Sequence, residues 1–557
     1  MGTLLAMLCL ITVNGRDLTY QIDYGGGILR PDYAEALRAC PPDLLHVGIE
    51  GAPLPSYWFG TQAQPAPDPR GVRRRLETFR TLVASLHEVG VRTVMPYLCA
   101  ITIGGDPEPP LGWFGFFQRW DEYAEFGLGP KPATGPLEWL QRRPDGQPML
   151  YYAFDHYRPL HRYAVAPTNP HWQHFLATVA RLMAEAGYDG VFVDNPNARD
   201  FGPDAQRALA AWAAALPAAE RAAAWPAGPP TMAADGQSPA ATLTRRFMAE
   251  SEARLLAVIR EGGVGGGRPA FQVNPNAAGW AARLYGHGHD LRAMAPAIAL
   301  AMDEGATWPG VEQQGFAGLL TRQFARDNLF SYLRGQIPGR DPINCLATRG
   351  KMVSDAQLLL ASAGAAAFGG LWVHRRLDDP RLDGWEQFAG FARAHRDLFE
   401  QLEPAAEVAV AWSTPDLLAG FTDHFGACEE TARFLLREQI PLRLIELSDS
   451  SPAALRGYRV VVLPQVRCFD PAGLDLLQRY VEGGGTIVAI GPTATHDPLA
   501  RASLTPGLAT APRIRNFATW PTSAAAWLAV RQALGAALPH GGSLVVEHDV
   551  PGLRLAH

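Results

Sequence analysis

Two apolar runs in this chain end in carboxylates, which is what acid–base chemistry on an acetal requires. Tyr188-Asp-Gly-Val-Phe-Val-Asp194-Asn-Pro196 reads as a buried strand that delivers Asp194 at its C-terminal end, beside Asn195 and the chain-turning Pro196. Ala299-Leu-Ala-Met-Asp303-Glu304-Gly305 repeats the pattern, with Trp308 close behind. Side chains of a strand alternate, so only one of Asp303 and Glu304 can share the inward face. Glu304 is the preferred group and Asp303 the alternative. Two carboxylates suffice to cleave a glycosidic bond: one attacks or stabilises the oxocarbenium-like carbon, the other protonates the departing oxygen. A strand-end Asp also serves as a loop or helix cap, which is the competing reading of Asp194.

Other strand ends carry groups suited to a polyhydroxylated ligand. Asp23 and Tyr24 close the first run, Glu50 the second, Asn274 and Asn276 the fifth, Arg349 the seventh, and Trp372 with His374 the eighth. Trp113, Phe114, Phe116, Phe117, Trp120 and Tyr123 crowd one long loop, either as a stacking surface for sugar rings, with Trp113 as the binding candidate, or as that loop's own core. Asp155, His156, His161, His171 and His174 follow no metal-ligand spacing, so neither a metal nor an organic cofactor is expected. His287, His289 and Asp290 read as a polar loop. The glycine run from Gly262 to Gly267 lacks the Lys-Ser/Thr of a phosphate-binding loop and reads as a linker. Six cysteines without a CxxC pair predict neither a disulfide framework nor a zinc site.

The elements that must position these groups form an alternating pattern. Eight short apolar runs precede residue 375: Leu18–Tyr24, Leu44–Glu50, Thr93–Leu98, Gly190–Asp194, Ala270–Asn274, Ala297–Asp303, Ile343–Thr348 and Ala365–Trp372. Helical patterns fit between several of them. Arg73–Gly90 places Leu76, Phe79, Leu82, Val83 and Leu86 on one face, and His171–Gly187 ends at a glycine suited to a C-terminal cap. Strand–helix alternation of this kind predicts an α/β chain whose residues 1–400 form a (β/α)8 TIM barrel. Its longest insertions follow the third and fourth strands, at the face where such barrels carry their chemistry. After Glu407 the runs VAVAWS, LRLIEL, YRVVVLP and GGGTIVAIG, with helices at Glu429–Gln439 and Pro471–Glu482, predict a second, flavodoxin-like α/β domain over 405–538. Residues 541–557 read as the start of a β-rich module.

Charge and hydropathy narrow the partners. Acidic and basic side chains nearly balance, 55 against 49, and no basic stripe stands out, which argues against nucleic acid. The apolar run Leu4–Val13 is too short to span a bilayer and lacks a preceding Lys or Arg, so a cytoplasmic protein is expected, with secretion as the alternative.

The segment VVVLP…LQRYVEGGGTIVA, together with the strand at Val408–Trp412, resembles the β-galactosidase trimerisation domain, which is similar in fold to class I glutamine amidotransferases. Cys468 follows a strand but is not set between glycines, so no amidotransferase nucleophile is matched. In glycoside hydrolase family 42 and its relatives such a domain follows a catalytic barrel. The resemblance therefore implies a glycosidase that assembles as a homo-oligomer, a trimer or dimer. Family 42 itself carries Asn then Glu at the end of the fourth strand, whereas Asp194 here precedes Asn195. DGVFVDNP is closer to the α-galactosidase and α-fucosidase barrels and the hypothetical glycosyl hydrolase families, which implies Asp194 as nucleophile and Glu304 or Asp303 as acid/base. A retaining enzyme on a galactoside- or fucoside-like substrate is expected. A non-catalytic carbohydrate-binding barrel and a barrel lyase or epimerase are the alternatives.

Overall fold

A computed structural model describes residues 11–13, 33–38, 41, 44–48, 51–54, 68–150, 161–233, 236–276, 284–286, 288–306, 344–348, 371–374, 391, 394–395, 406–502 and 512–538. For 11–13, 302–306, 344–348 and 371–374 it describes the backbone. The chain divides into two compact units, residues 1–402 with two short segments from further on, and most of the remainder.

The first unit is built on a parallel sheet of nine strands: β1 (Ile11–Val13), β2 (Leu44–His46), β3 (Thr93–Met95), β4 (Tyr97–Cys99), then, past the hairpin strands β5 (Thr102–Gly105) and β6 (His161–Ala164), β7 (Gly190–Asp194), β8 (Gln272–Asn276), β9 (Ala301–Ala306), β10 (Asn344–Thr348) and β11 (Leu371–His374). Their spatial order is β3-β2-β1-β11-β10-β9-β8-β7-β4. The two end strands are consecutive in the chain, with only Pro96 between them. Proline has no N–H to give to a ladder, so it interrupts the strand at that residue. The flanks stay bonded: Val47 N donates to Met95 O, and Phe192 N donates to Pro96 O at 2.9 Å.

Seven of the eight expected strands are met, several displaced by a few residues. Leu18–Tyr24 lies outside the described residues, and the strand between β2 and β11 is Ile11–Val13, from the apolar run otherwise readable as a leader.

Helices pack on the outer face of this sheet. Pro69–Glu88 starts at Asp68, whose carboxylate accepts from Gly71 N, and it buries Val72, Phe79, Leu82, Val83 and Leu86. Pro170–Glu185 starts at Asn169, which accepts from His171 N and Trp172 N, and Gly187 follows it at φ 98° as anticipated. The glycine run is not a linker. Gly262, Gly263 and Gly265 belong to the 27-residue helix Pro239–Gly265. A Cβ on Gly262 would lie 2.3 Å from Ala177 O, and one on Gly263 would lie 2.1 Å from the Phe271 ring. Close packing, which no local sequence rule reports, keeps these glycines helical.

The second unit carries five parallel strands, β12 (Val408–Trp412), β13 (Leu442–Glu446), β14 (Val460–Pro464), β15 (Thr486–Ile490) and β16 (Ile514–Phe517), in the order β13-β12-β14-β15-β16. The first four match the expected runs; β16 was not anticipated. Residues β12 to β15 are buried throughout save Arg443, the composition of a sheet covered on both faces. The segment 541–557 lies outside the described residues.

Candidate active site

Asp194 ends β7, a strand buried at every position. Val191 and Val193 join the core beneath the helices, so Phe192 and Asp194 belong to the opposite face of the sheet. Asn195 then adopts φ 52°, in the left-handed region, and turns the chain out of the sheet. The Asp194 side chain is only 3% exposed, and three donors hold it. Oδ2 accepts from the Tyr97 hydroxyl and from Asn195 Nδ2, while Oδ1 accepts from Asn276 Nδ2 at 2.7 Å. Register supplies these partners, since Cys99, Asp194 and Asn276 stand opposite one another on β4, β7 and β8.

Burial pushes the Asp194 carboxyl above its usual range, against the Tyr97 hydrogen bond, the nearby Arg162 charge and the Asn276 hydrogen bond, which favour the anion. Burial, then the Asp194 charge, holds Tyr97 well above its ordinary value, so it remains a phenol and a donor. Arg162, 9% exposed on β6, donates to Thr102 Oγ1 at 3.3 Å and approaches Cys99 Sγ at 4.0 Å. The hairpin β5–β6 therefore brings a guanidinium to the end of the third strand. On the same face of the sheet Tyr97 and His46 lie against Phe192, with ring centroids 5.9 and 4.7 Å away.

The expected site residues separate into groups. Asp194, Asn195 and Asn276 come together. Asn274, two residues before Asn276, is occupied structurally, donating to Met95 Sδ at 3.0 Å and accepting from Leu300 N at 3.1 Å. Asp303 and Glu304 lie on β9, where Met302 is in register with Asn276. Trp372 and His374 lie on β11, opposite Leu346 and Thr12. Asp23, Tyr24, Glu50 and Arg349 are outside the described residues.

Trp113 is a correction. It is 0% exposed, with its ring within 5.4–6.3 Å of Phe116, Phe117, Trp120, Trp139, Trp172 and Phe175. The aromatic loop is a private core, not a stacking surface, because its rings satisfy one another edge to face. His289 lies in a loop as expected, but a buried one: its side chain is 2% exposed, with Nδ1 2.8 Å from the fully buried Glu252. Burial, with the Asp290 charge, pushes that carboxyl well above its usual range. The other histidines disperse as well. His161 pairs with Asp106, His171 stacks on Trp139 and His174 contacts Gly127 O. Asp155 and His156 are outside the described residues. Among the described residues no group of three or more His, Cys, Asp or Glu side chains is placed to hold a metal ion.

Tyr97, Arg162 and His46 were missed in the sequence. Tyr97 lies within the third expected run, Thr93–Leu98, and opens β4 there, but nothing local marked its hydroxyl for the site. Arg162 had no local signal either, since it reaches the site through a hairpin between distant segments.

No family model matches the chain, and no curated protein matches it in sequence. Its fold is shared with solved glycoside hydrolases. A cold-adapted β-galactosidase from Rahnella sp. R3 superposes with a TM-score of 0.60 at 13% identity, over 90% of this chain and 74% of that one. A β-galactosidase from Bacillus circulans sp. alkalophilus gives 0.57 at 13% identity, over 89% and 73%. An α-L-fucosidase isoenzyme from Paenibacillus thiaminolyticus gives 0.55 at 14% identity, over 87% and 64%. At these identities the likeness is one of fold. No helix among the described residues is long and apolar enough to cross a membrane.

Proposed function

We propose that this chain is a retaining glycosidase acting on a galactoside- or fucoside-like substrate, with Asp194 as nucleophile and Glu304 as acid/base. The observation that carries the reading is the holding of Asp194: a carboxylate at a parallel strand's end, with both oxygens fixed by Tyr97, Asn195 and Asn276. A nucleophile held in one orientation needs no reorganisation when it attacks. The shared fold with β-galactosidases and an α-L-fucosidase supports the same class.

The reading takes the nine strands as an eight-stranded barrel closed through the Pro96 break, whose mouth is the C-terminal edge of the strands. β7 and β9 are then separated by β8 alone, about 9.5 Å across two ladder spacings. Side chains converging from strands so placed can reach the ~5–5.5 Å separation of a retaining pair. Glu304 is kept as the acid/base over Asp303, as the sequence reading preferred it; Met302 of β9 is in register with Asn276, and the pairing of β9 with β10 shifts register between Asp303 and Ala306. In the first step an Asp194 oxygen bonds to the anomeric carbon as Glu304 gives its proton to the leaving oxygen. In the second, Glu304 takes a proton from water, and that water displaces Asp194.

For the second unit we propose a flavodoxin-like domain of the β-galactosidase trimerisation type, which has a role in homo-oligomer assembly. Its strand order, second-first-third-fourth-fifth, supports this. Glutaminase chemistry has no support from Cys468, a buried thiol that burial, then the Asp416 and Asp497 charges, push far above its usual range.

The test is hydrolysis of a panel of aryl α- and β-galactosides and fucosides by the wild type and by Asp194→Asn. The expected result is turnover by the wild type, and none by the variant despite retained sugar binding. Sugar binding without turnover by the wild type would favour a carbohydrate-binding barrel. Turnover that chelator abolishes would favour a lyase or epimerase.

A further inference from the structure

His46 is the least accounted-for polar group on the sheet face that carries Asp194. It closes β2, is 2% exposed, and lies with its ring 4.7 Å from that of Phe192 at an interplanar angle of 26°. Phe192 precedes Asp194 by two residues on the same strand face. Around it Tyr97 and Asn276 Nδ2 donate to Asp194, and Asn274 bonds at both ends of its amide. Neither ring nitrogen of His46 has a hydrogen-bond partner. Burial holds its pKa down at about 3, so the ring is neutral, with one donor and one acceptor. An apolar residue would fill this position without leaving those two groups unsatisfied.

We infer that His46 is a substrate-positioning residue whose imidazole, braced on Phe192, exchanges hydrogen bonds with a hydroxyl of the bound sugar. The inference rests on the glycosidase reading above and deepens it. A neutral imidazole suits a hydroxyl, which both donates and accepts, and has no charge to select an anionic group. The ring's stacking fixes its plane, so the position of the accepting hydroxyl contributes to sugar selectivity.

Two variants and one spectroscopic titration test this. His46→Phe keeps the stack and removes both polar groups; His46→Asn restores a donor and an acceptor. His46→Phe should raise KM for the preferred aryl glycoside about tenfold, as expected for one lost hydrogen bond, with a smaller change in kcat. His46→Asn should recover part of that loss. In the wild type, the ¹⁵N signals of the His46 ring should move on saturation with free galactose or fucose. Unchanged KM in His46→Phe, with static ring signals, would overturn the inference and leave Asp194 in place, the nitrogens then being satisfied by ordered water. If Asp194→Asn stays active, the catalytic reading fails instead. Should the wild type hydrolyse nothing in the panel, the titration alone decides: moving signals uphold the contact, and static ones sink it.

Discussion

The Tyr97 hydroxyl donates to Oδ2 of Asp194, so the residue just after the Pro96 break steadies the carboxylate on the neighbouring strand. This contact joins the third and fourth strand positions by side chains where proline has removed a backbone donor. It also favours the carboxylate anion against burial, which pushes the group toward its neutral form.

Removing the Tyr97 hydroxyl should therefore weaken catalysis in a pH-dependent way. Tyr97→Phe deletes a hydrogen bond to a charged group, worth roughly 1.5–3 kcal/mol, so kcat/KM should fall about 10- to 100-fold. The Asp194 pKa should rise further, and the acid limb of the pH–rate profile should move to higher pH. A profile that scales down without shifting would show that Tyr97 does not govern the ionisation of Asp194.

Asn276 offers a stronger perturbation in the same direction. Its amide nitrogen stands 2.7 Å from Oδ1 of Asp194. Asn276→Asp would put a second carboxyl there, and two carboxylates at such a distance share a proton rather than both ionising. Activity at neutral pH should drop at least about tenfold. Asn276→Ala, which loses a donor without adding charge, should be less shifted along the pH axis. Identical profiles for the two variants would rule out the charge argument.

Trp113 separates packing from binding. Truncating an aromatic side chain this buried costs about 3–5 kcal/mol. Trp113→Ala should melt well below the wild type, while the KM of the molecules still folded stays the same. A raised KM with little loss of melting temperature would return Trp113 to the sugar site.

Asp200 should make stability pH-dependent. It is 3% exposed, and its Oδ1 accepts from Arg142 N and Gly202 N, both at 2.8 Å, while burial raises its pKa to about 6. A carboxyl whose folded pKa exceeds its unfolded value of about 3.9 costs nothing below the lower value. The cost grows as pH rises through the interval and is complete above the upper value, at roughly 2–3 kcal/mol. Asp200→Asn, which keeps an accepting oxygen, should melt above the wild type at pH 7 and alongside it near pH 4. Melting scans at the two pH values check this, and a gap of equal size at both would refute it.

Local rules accounted for much of the architecture because its causes are local. Gly190–Asp194 is an apolar run bounded by turn-forming residues, and the strand has those limits. The buried face of Pro69–Glu88 followed from the spacing of Phe79, Leu82, Val83 and Leu86, and the Gly187 terminus from a glycine's access to positive φ. Asp194 was legible for the same reason, as a carboxylate at the end of a strand.

Tertiary structure decided whatever depends on a partner distant in the chain. The glycines at 262 and 263 are helical because Ala177 and Phe271 press against them, a condition absent from the glycine run itself. Trp113 belongs to a core because other rings enclose it, although its composition would equally suit a sugar platform. Tyr97, Asp194 and Asn276 meet because parallel register sets three strands side by side, and the ionisation of Asp194 follows from that meeting. A sequence carries the identity of each group and its local conformational preference. Burial, register and the electrostatic surroundings are properties of the folded neighbourhood, and they are what turn a strand-end aspartate into a held carboxylate.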